Sequence, residues 1–416
     1  MTRATGGSAT VLDSGLTVVA EPMPDVRSVS LGFWVGTGSR DESGPMAGAS
    51  HFLEHLLFKG TETRSARSIA EAVDEVGGDM NAYTTKEYTA FYLRVLADAL
   101  DLGLDILSDI MWQPAFRPEE VEAERQVILE EILMHADEPA DLVHEVLAGA
   151  LWPGHPLGRD VLGTEESIEG LTRDDIASFH AHHYRPANIV LAAAGDLDPD
   201  ELAEGIDKRF RGGPGGAAPH REGPGEHPRA RAVVRRATEQ AHLAVAFPAF
   251  DRDDDDRYAL SVVDHVLGGG MSSRLFQEIR EQRGLAYSVY SYRSLFQGTG
   301  ALAVYAGTSP ARAHEVLDLI HAEVDRLADG GLTERELAMT KTHLRGSLAL
   351  ALEDSGARMS RVGRSQLIHG HVPTLQSMEE RLDAVTLDDV GAVIDRVLQG
   401  PRVVAAVGPF DEDEFS

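Results

Sequence analysis

A stretch rich in glycine and proline divides this chain of 416 residues almost in half. Residues 211–228 read RGGPGGAAPHREGPGEHP, and helices and strands do not persist where glycine and proline dominate. The stretch therefore predicts a linker between two domains, residues 1–210 and residues 229–416. A chain of this length accommodates two domains, because one domain usually holds roughly 100–200 residues.

The two halves repeat one order of elements. In the first half, apolar runs and alternating patterns predict strands at 29–35, 80–84 and 89–95 and helices at 47–58, 70–76, 97–111 and 118–134. In the second half, the same criteria predict strands at 241–247, 286–292 and 299–305 and helices at 258–267, 273–281, 310–327 and 334–352. The pairs Ala82-Tyr83 and Ala286-Tyr287 hold equivalent places in the two series. We therefore predict an α+β fold of two homologous lobes, each a sheet covered by helices.

The charge balance and the absence of cysteine exclude several classes of protein. The chain holds 68 Asp and Glu against 38 Lys and Arg, a formal net charge of −30, and such a field repels phosphate and attracts basic peptides. We therefore expect no nucleic-acid partner. The sequence contains no cysteine, so disulfides, cysteine nucleophiles and thiolate zinc sites are ruled out, and any metal has to be held by His, Asp and Glu.

Nothing in the sequence predicts a membrane span or a secretory signal. Residues 1–10 lack the apolar core of a signal peptide, and no window approaches the roughly 18 apolar residues of a transmembrane helix. We expect a soluble protein of the cytoplasm with no membrane partner.

Residues 51–55, His-Phe-Leu-Glu-His, form the motif with the clearest chemistry. On a helix, His51 and His55 are one turn apart and face the same side, so both imidazoles can bind one metal ion. Glu54 lies about 100° around the helix from His55, where its carboxylate can accept a proton from a water that the metal activates. The alternative is a surface helix with two solvated histidines, because so short a motif also arises by chance.

A catalytic zinc site needs a third protein ligand, and the acidic helix predicted at 118–134 offers three candidates. Glu120, Glu124 and Glu131 recur at spacings of four and seven, so they share one side of that helix. One of them can complete the site, and another can orient a histidine through a hydrogen bond. The pattern by itself does not choose among the three, and an ordinary solvated acidic face is the alternative.

Several linked motifs resemble those of the pitrilysin family of zinc peptidases, the inverzincins, in the subgroup of mitochondrial processing peptidase β-subunits and their bacterial relatives. The inverted H-x-x-E-H motif of that class corresponds to residues 51–55, and the similarity extends over residues 48–60, 81–84, 124–132 and 273–288. The resemblance implies two lobes that form half of a clamshell. It also implies a zinc-dependent endopeptidase that cleaves extended, basic peptides or leader segments.

The resemblance assigns roles in the first lobe. His51, His55 and Glu131 would bind zinc, one ion per chain, and Glu131 follows His55 by the 76 residues that the family pattern expects. Glu54 would be the general base, and Glu124 would hold a zinc ligand through a hydrogen bond.

Three further residues of the first lobe match substrate-binding positions of the family. Asn81 and Ala82 match an edge strand that pairs with an extended substrate. Phe58 matches a residue that lines the pocket on the leaving side of the scissile bond.

Four residues match positions that the family uses at a distance from the zinc motif. Arg280 and Tyr287 match a pair from the second lobe, in which the phenol would share the negative charge that develops on the peptide oxygen and the guanidinium would hold a substrate carbonyl or brace the phenol. Asp141 and Glu145, one helical turn apart, fall where processing peptidases keep acids that read a basic residue near the cleavage site. A plain solvated pair is the alternative for these two acids.

The second lobe lacks the residues of a second zinc site. Ser347 stands where Glu131 stands in the first lobe, and Ser273 and Arg274 fall near the places where histidines would be needed. Since one chain carries both the zinc motif and the Arg280 and Tyr287 pair, we expect a homodimer that acts on peptide substrates. The alternative is a non-catalytic scaffold or assembly subunit of the same fold.

Overall fold

The structure is a computed structural model that describes residues 8–211, 213, 215–225 and 228–415. Four residues of the predicted linker, Gly212, Pro214, Glu226 and His227, lie outside the described residues. The remaining residues of that stretch form neither helix nor strand, as its glycine and proline content predicts.

Each predicted strand and helix has a counterpart close to its predicted position, and the structure contains further strands and helices that the sequence patterns did not predict. The strands are β1 (Ser8–Val11), β2 (Thr17–Pro22), β3 (Ser28–Val35), β4 (Asp79–Thr84), β5 (Thr89–Leu96), β6 (Ile189–Gly195), β7 (Arg231–Arg235), β8 (Ala241–Ala249), β9 (Ala286–Phe296), β10 (Thr299–Thr308) and β11 (Val403–Gly408). The helices are α1 (Ala49–Leu57), α2 (Ala66–Asp74), α3 (Leu100–Trp112), α4 (Pro118–Ala136), α5 (Pro139–Leu151), α6 (Glu165–Gly170), α7 (Arg173–His183), α8 (Pro199–Arg209), α9 (Arg257–Gly268), α10 (Ala313–Gly330), α11 (Glu334–Ala351), α12 (Ser355–His369), α13 (Leu375–Ala384) and α14 (Leu387–Val397). Within the described chain, no helix has both the length and the apolar character needed to cross a bilayer.

One predicted α-helix has a different winding. The segment predicted at 273–281 forms a π-helical turn over Phe276–Gln282. A short apolar pattern does not separate this wider winding from an α-helix, and such turns often mark functional positions.

The two sheets share one strand topology apart from β1, an additional strand of the first sheet. The first has the strand order β1-β2-β6-β3-β5-β4, and the second has the order β7-β11-β8-β10-β9. In both sheets one parallel pair, β2 with β6 or β7 with β11, is followed by antiparallel neighbours. Strands β4 and β9, which carry the matching Ala-Tyr pairs, are the outermost strands of their sheets. The prediction of two homologous α/β lobes, each with a helix-covered sheet, is confirmed.

Each sheet belongs to a compact unit that is discontinuous in sequence. One unit comprises the described residues of Met1–Ile132, Asp160–His220 and Leu348–Ser377, and the other those of Leu133–Arg159, Arg221–Ser347 and Met378–Ser416. Each half of the chain therefore supplies one segment, 133–159 or 348–377, to the unit built mainly from the other half. The division into residues 1–210, 211–228 and 229–416 stays a prediction.

The first unit covers its sheet on both faces. Strand β6 is buried over its whole length, which is typical of a strand between two layers of helices. On one face, Phe33 and Phe91 lie in a core with side chains of α1, α3 and α7. On the opposite face, Trp34 packs with Met359 and Val362 of α12.

The second unit repeats this arrangement with different helices. Leu243 and Leu302 lie in a core with side chains of α9, α10 and α14. On the opposite face, Ala244 packs with Val143 and Leu147 of α5. Helices α5 and α12 thus cover the second face of the sheet in their respective units.

A buried ion pair joins α12 to the first sheet. Glu21 of β2 is 4% exposed, and its two carboxylate oxygens accept hydrogen bonds from Arg358 and Arg361, each at 2.7 Å. The backbone of α12 lies against the sheet at Gly363, where an added Cβ would come within 2.6 Å of the Trp34 ring. The helix is therefore fixed by close packing and by a paired buried charge.

Replacement of Glu21 by alanine should lower the free energy of unfolding by about 3 kcal/mol, the lower end of the range for a broken buried pair, because two half-buried guanidinium groups lose their counter-charge. Urea unfolding followed by tryptophan fluorescence measures the change. Glu71→Ala is the control, since Glu71 pairs with Arg67 at 2.7 Å on an exposed helix face and should cost less than about 1 kcal/mol. Equal losses in the two variants would contradict the prediction.

Candidate metal centre

Helix α1 carries three candidate residues and is fixed from its apolar side. Phe52, Leu53 and Leu56 are buried in the first core. The polar residues between them therefore share the other side of the helix, and they are His51, Glu54 and His55.

The N-terminus of α1 is also fixed by specific contacts. The buried carboxylate of Glu42 accepts hydrogen bonds from the N–H groups of Gly48 at 2.8 Å and Ser50 at 2.7 Å, and a negative charge at this end also suits the helix dipole. Gly48 has φ +89°, and a Cβ there would come within 2.6 Å of the Leu162 carbonyl oxygen. The start of the helix that carries the two histidines is thus held in place by hydrogen bonds and by close packing.

Helix α4 brings Glu131 to the two histidines. Glu131 Oε2 lies 3.6 Å from His51 Nε2 and 3.5 Å from His55 Nε2. In the described part of the chain, these three residues form the one group of at least three His, Asp or Glu whose ligand atoms all lie within 4.8 Å of one another. Ligands of tetrahedral zinc, bound at about 2.0–2.1 Å, are themselves roughly 3.3–3.4 Å apart, so the donor set fits zinc.

A second carboxylate of α4 holds His55 from behind. Glu124 is 4% exposed, and its Oε2 lies 3.0 Å from His55 Nδ1, while its Oε1 lies 2.7 Å from Lys59 Nζ. His55 thus contacts Glu124 through Nδ1 and faces Glu131 through Nε2. A histidine that binds a metal through one ring nitrogen commonly bonds to a carboxylate through the other. Glu124 thus lies where the resemblance placed it, whereas Glu120 is not part of the group.

The pKa values of the two histidines are shifted in opposite directions. Burial, and then the neighbouring His55, lowers the pKa of His51 to about 4, so its imidazole is neutral at physiological pH, the form that binds a metal. Burial also lowers the pKa of His55, but the carboxylates of Glu131 and Glu124 outweigh burial, and the pKa lies above its ordinary value.

Glu54 lies beside these ligands and is bonded to strand β4. Thr84 Oγ1 donates a hydrogen bond to Glu54 Oε2 at 2.6 Å. Burial raises the pKa of Glu54, and the hydrogen bonds of Thr84 offset part of that rise. A half-buried carboxylate with a raised pKa is a stronger base than an ordinary glutamate, which suits it to accept a proton.

The predicted substrate-binding residues of the first lobe lie on or beside the same elements. Asn81 and Ala82 belong to β4, the outermost strand of the sheet, and Asn81 Oδ1 accepts a hydrogen bond from the Ala82 N–H at 2.8 Å. Phe58 caps the end of α1 and contacts Phe91, with 6.0 Å between the ring centroids.

Arg280 and Tyr287 lie in the second unit and contact each other. The guanidinium of Arg280 lies 4.7 Å from the centre of the Phe276 ring and 4.8 Å from that of Tyr287. The pairing of β9 with β10 skips Tyr287, since Ser288 pairs with Gly307 and Ala286 with Thr308. This β-bulge turns the side chain outward, so Tyr287 is 83% exposed.

Asp141 and Glu145 lie on α5 in the second unit. Asp141 is exposed and Glu145 is half-buried. Between them on the helix, His144 Nδ1 lies 2.7 Å from the Tyr292 hydroxyl, and the charge of Asp141 raises the pKa of Tyr290 further after burial does so. The two acids therefore stand beside a group of aromatic rings.

The second unit uses the equivalent positions for other contacts. Arg274 forms a two-pronged ion pair with Glu336 at 2.9 and 3.1 Å, and Ser347 Oγ lies 3.2 Å from His343 Nε2.

Two contacts of the site were not predicted from the sequence. Lys59 pairs with Glu124, and Thr84 bonds to Glu54. Both residues stand at the ends of the quoted motifs, but only the packing of α1 against α4 and β4 shows which charges they meet. The functional roles assigned to the site residues stay predictions.

Two family models match consecutive parts of the chain. Residues 17–165 match the model described as insulinase (peptidase family M16), and residues 170–344 match the model described as peptidase M16 inactive domain. The candidate zinc ligands therefore fall within the first match.

Curated relatives match nearly the whole chain. An uncharacterized zinc protease of Streptomyces coelicolor is 44% identical over 417 residues, which cover 98% of this chain and 90% of that protein. An uncharacterized zinc protease of Bacillus subtilis is 39% identical and covers 95% of this chain and 97% of that protein.

Solved structures share the fold at lower identity. A protease from Helicobacter pylori matches with a TM-score of 0.89 at 22% identity, over 98% of this chain and 100% of that chain. A peptidase M16 inactive domain from Pseudomonas fluorescens matches with a TM-score of 0.89 at 24% identity, over 98% and 99% of the two chains.

Glu131→Gln should weaken zinc binding by more than about 100-fold, because loss of a direct ligand costs more than the roughly 10–100-fold lost with an outer partner. Competition with a chromophoric chelator measures the affinity. Glu130→Gln is the matched control, since Glu130 is the adjacent carboxylate on an exposed face of α4, and its zinc affinity should equal that of the unaltered chain. Equal affinities in both variants would remove Glu131 from the ligand set.

Proposed function

Because the chain belongs to peptidase family M16, we propose that it is a zinc-dependent endopeptidase that hydrolyses extended, basic peptides or leader segments. One observation carries the proposal. His51, His55 and Glu131 converge with their ligand atoms within 4.8 Å of one another, beside a Glu54 carboxylate that a threonine holds from one side.

The metal would be held by His51 Nε2, His55 Nε2 and the carboxylate of Glu131, one ion per chain. Zinc bound there supplies Lewis acidity, which lowers the pKa of water toward ~7 and polarises a peptide carbonyl. Glu124 keeps His55 oriented, and the neutral His51 offers its ligand atom without first losing a proton.

Glu54 would move the protons of the reaction. Its carboxylate accepts a proton from the attacking water and then delivers that proton to the leaving amine nitrogen. Burial, which raises the pKa of Glu54, favours the first step, because a stronger base takes the proton more readily.

Strand β4 would bind the substrate as an added strand. It is the outermost strand of its sheet, and a peptide can pair with the free backbone groups of such an edge. The net charge of −30 favours basic peptides. In this proposal Asn81 and Ala82 receive the peptide, and Phe58 lines the pocket on the leaving side.

Arg280 and Tyr287 would assist from the second lobe. A phenol donates a hydrogen bond to a carbonyl oxygen as that oxygen becomes negative. The Arg280 guanidinium lies against the rings of Phe276 and Tyr287, so in this proposal it braces Tyr287 or holds a substrate carbonyl.

The alternative of a non-catalytic scaffold finds less support. The model described as inactive covers residues 170–344, which contain none of the proposed zinc ligands and exclude Glu54. A scaffold has no need of three metal-binding side chains beside a carboxylate that can act as a general base, and this chain has both. Zinc content well below one ion per chain would favour the scaffold.

Replacement of Glu54 by glutamine should leave zinc binding intact and lower the rate of peptide cleavage by at least about 100-fold, because the general base is lost. A basic fluorogenic peptide measures the rate, and elemental analysis measures the zinc. Glu130→Gln serves as the control for removal of one nearby carboxylate. Unchanged turnover in zinc-loaded Glu54→Gln would disprove the mechanism.

Replacement of Asp141 by asparagine should raise KM for a peptide with arginine near the cleavage site by about 2- to 5-fold, because one exposed carboxylate contributes up to about 1 kcal/mol to an ion pair. A peptide with citrulline in place of arginine should lose little. Asp137→Asn is the matched control, since Asp137 is exposed in the turn before α5. Equal changes for both peptides would leave Asp141 without a role in reading the basic residue.

A homodimer in the cytoplasm completes the proposal. One chain carries every residue assigned to the reaction, so a second, different subunit is not required. Sedimentation equilibrium of the purified chain gives the stoichiometry, and a monomer at all concentrations would contradict the dimer.

A further inference from the structure

Strand β4 turns alternate backbone groups toward its open edge. In an antiparallel ladder, residues two apart along a strand point their N–H and C=O groups the same way. The Ala82 N–H is bonded to the side chain of Asn81, and the hairpin closes with the Thr85 N–H donating to the Tyr88 carbonyl. The register Ala82–Phe91 and Thr84–Thr89 therefore places the backbone groups of Ala82 and Thr84 on the same, open edge.

The Glu54 side chain lies against this edge at Thr84, the last residue of β4. Its Oε2 accepts the Thr84 hydroxyl hydrogen bond at 2.6 Å, and the Thr84 backbone bonds to the same carboxylate. Both side chains are half-buried. The open edge of β4 thus passes Ala82, whose N–H is bonded to the Asn81 side chain, and it ends two residues later, where the Glu54 carboxylate lies against Thr84.

We infer that Thr84 is a positioning residue that holds the Glu54 carboxylate at the end of the substrate-binding edge. The inference rests on the proposed function and adds to it a residue that joins the peptide-binding strand to the general base. A base needs only one carboxylate oxygen for the proton of water, so a donor on Oε2 orients Oε1 without competing for the reaction.

Physical chemistry explains why a threonine suits this place. A glutamate side chain has three rotatable bonds, and a hydrogen bond to an ionised carboxylate is among the stronger ones in proteins. The β-branched side chain of threonine has few rotamers within a strand. The hydrogen bond from Thr84 therefore restricts the rotation of the Glu54 side chain. A peptide that pairs with β4 at Ala82 then meets a carboxylate that is already in position.

Thr84→Val and Thr84→Ser test the inference. Valine keeps the shape and the strand preference of threonine but lacks the hydroxyl, whereas serine keeps the hydroxyl. In zinc-loaded protein, kcat for a basic fluorogenic peptide should fall about 10- to 100-fold in Thr84→Val, the cost of one hydrogen bond to a charged group. Thr84→Ser should recover most of the loss.

Two measurements separate positioning from a general structural effect. KM and zinc affinity should each stay within about twofold of the unaltered chain in Thr84→Val, because the ligands and the substrate edge are untouched. A rise in KM or a loss of zinc affinity equal to the loss of kcat would overturn the inference. A Thr84→Val rate above half of the unaltered rate would also overturn it.

Crystal structures of the zinc-loaded unaltered chain, of Thr84→Val and of Thr84→Ser test the role of Thr84 without a measurement of activity. The Glu54 carboxylate should leave its place beside residue 84 in the valine variant and keep it in the serine variant. An unmoved carboxylate in Thr84→Val would overturn the inference. If the unaltered zinc-loaded chain cleaves no peptide, the proposed function fails, and the crystal structures still decide the role of Thr84.

Discussion

The candidate metal centre depends on how helix α1 is packed. The helix has nine residues, too few to be stable alone in water. Its apolar residues lie in the first core, and the Glu42 carboxylate binds its first N–H groups. Because these contacts fix both the rotation and the start of the helix, the directions of His51, Glu54 and His55 follow from them.

A layered set of charges surrounds the two histidines. Glu131 faces both Nε2 atoms, while Glu124 binds His55 from the opposite side and is itself paired with Lys59. A buried carboxylate without a partner would be costly. Lys59 supplies a counter-charge to this carboxylate, which is 4% exposed, and the carboxylate in turn holds the His55 ring by its Nδ1 atom.

The local parts of this arrangement could be predicted from the sequence, and the long-range parts could not. The spacing of His51 and His55 places them on one helix face, and the alternation in residues 80–95 predicts the β4–β5 hairpin, because both patterns depend on neighbours along the chain. The exchange of α5 and α12 between the units depends on contacts between residues more than 100 positions apart. The bond from Thr84 to Glu54 joins residues 30 positions apart, and the bulge at Tyr287 depends on the pairing of β9 with β10, so neither follows from the pattern of neighbouring residues.

The outermost strand of the first sheet also shows how an open edge is kept from indiscriminate pairing. Asn81 folds its own amide oxygen onto the Ala82 N–H, so this donor is already satisfied before any other chain arrives. A passing segment that forms one or two backbone bonds gains little by displacing the amide. A partner that extends along more of β4 forms more backbone bonds, and these can offset the one that the amide gives up.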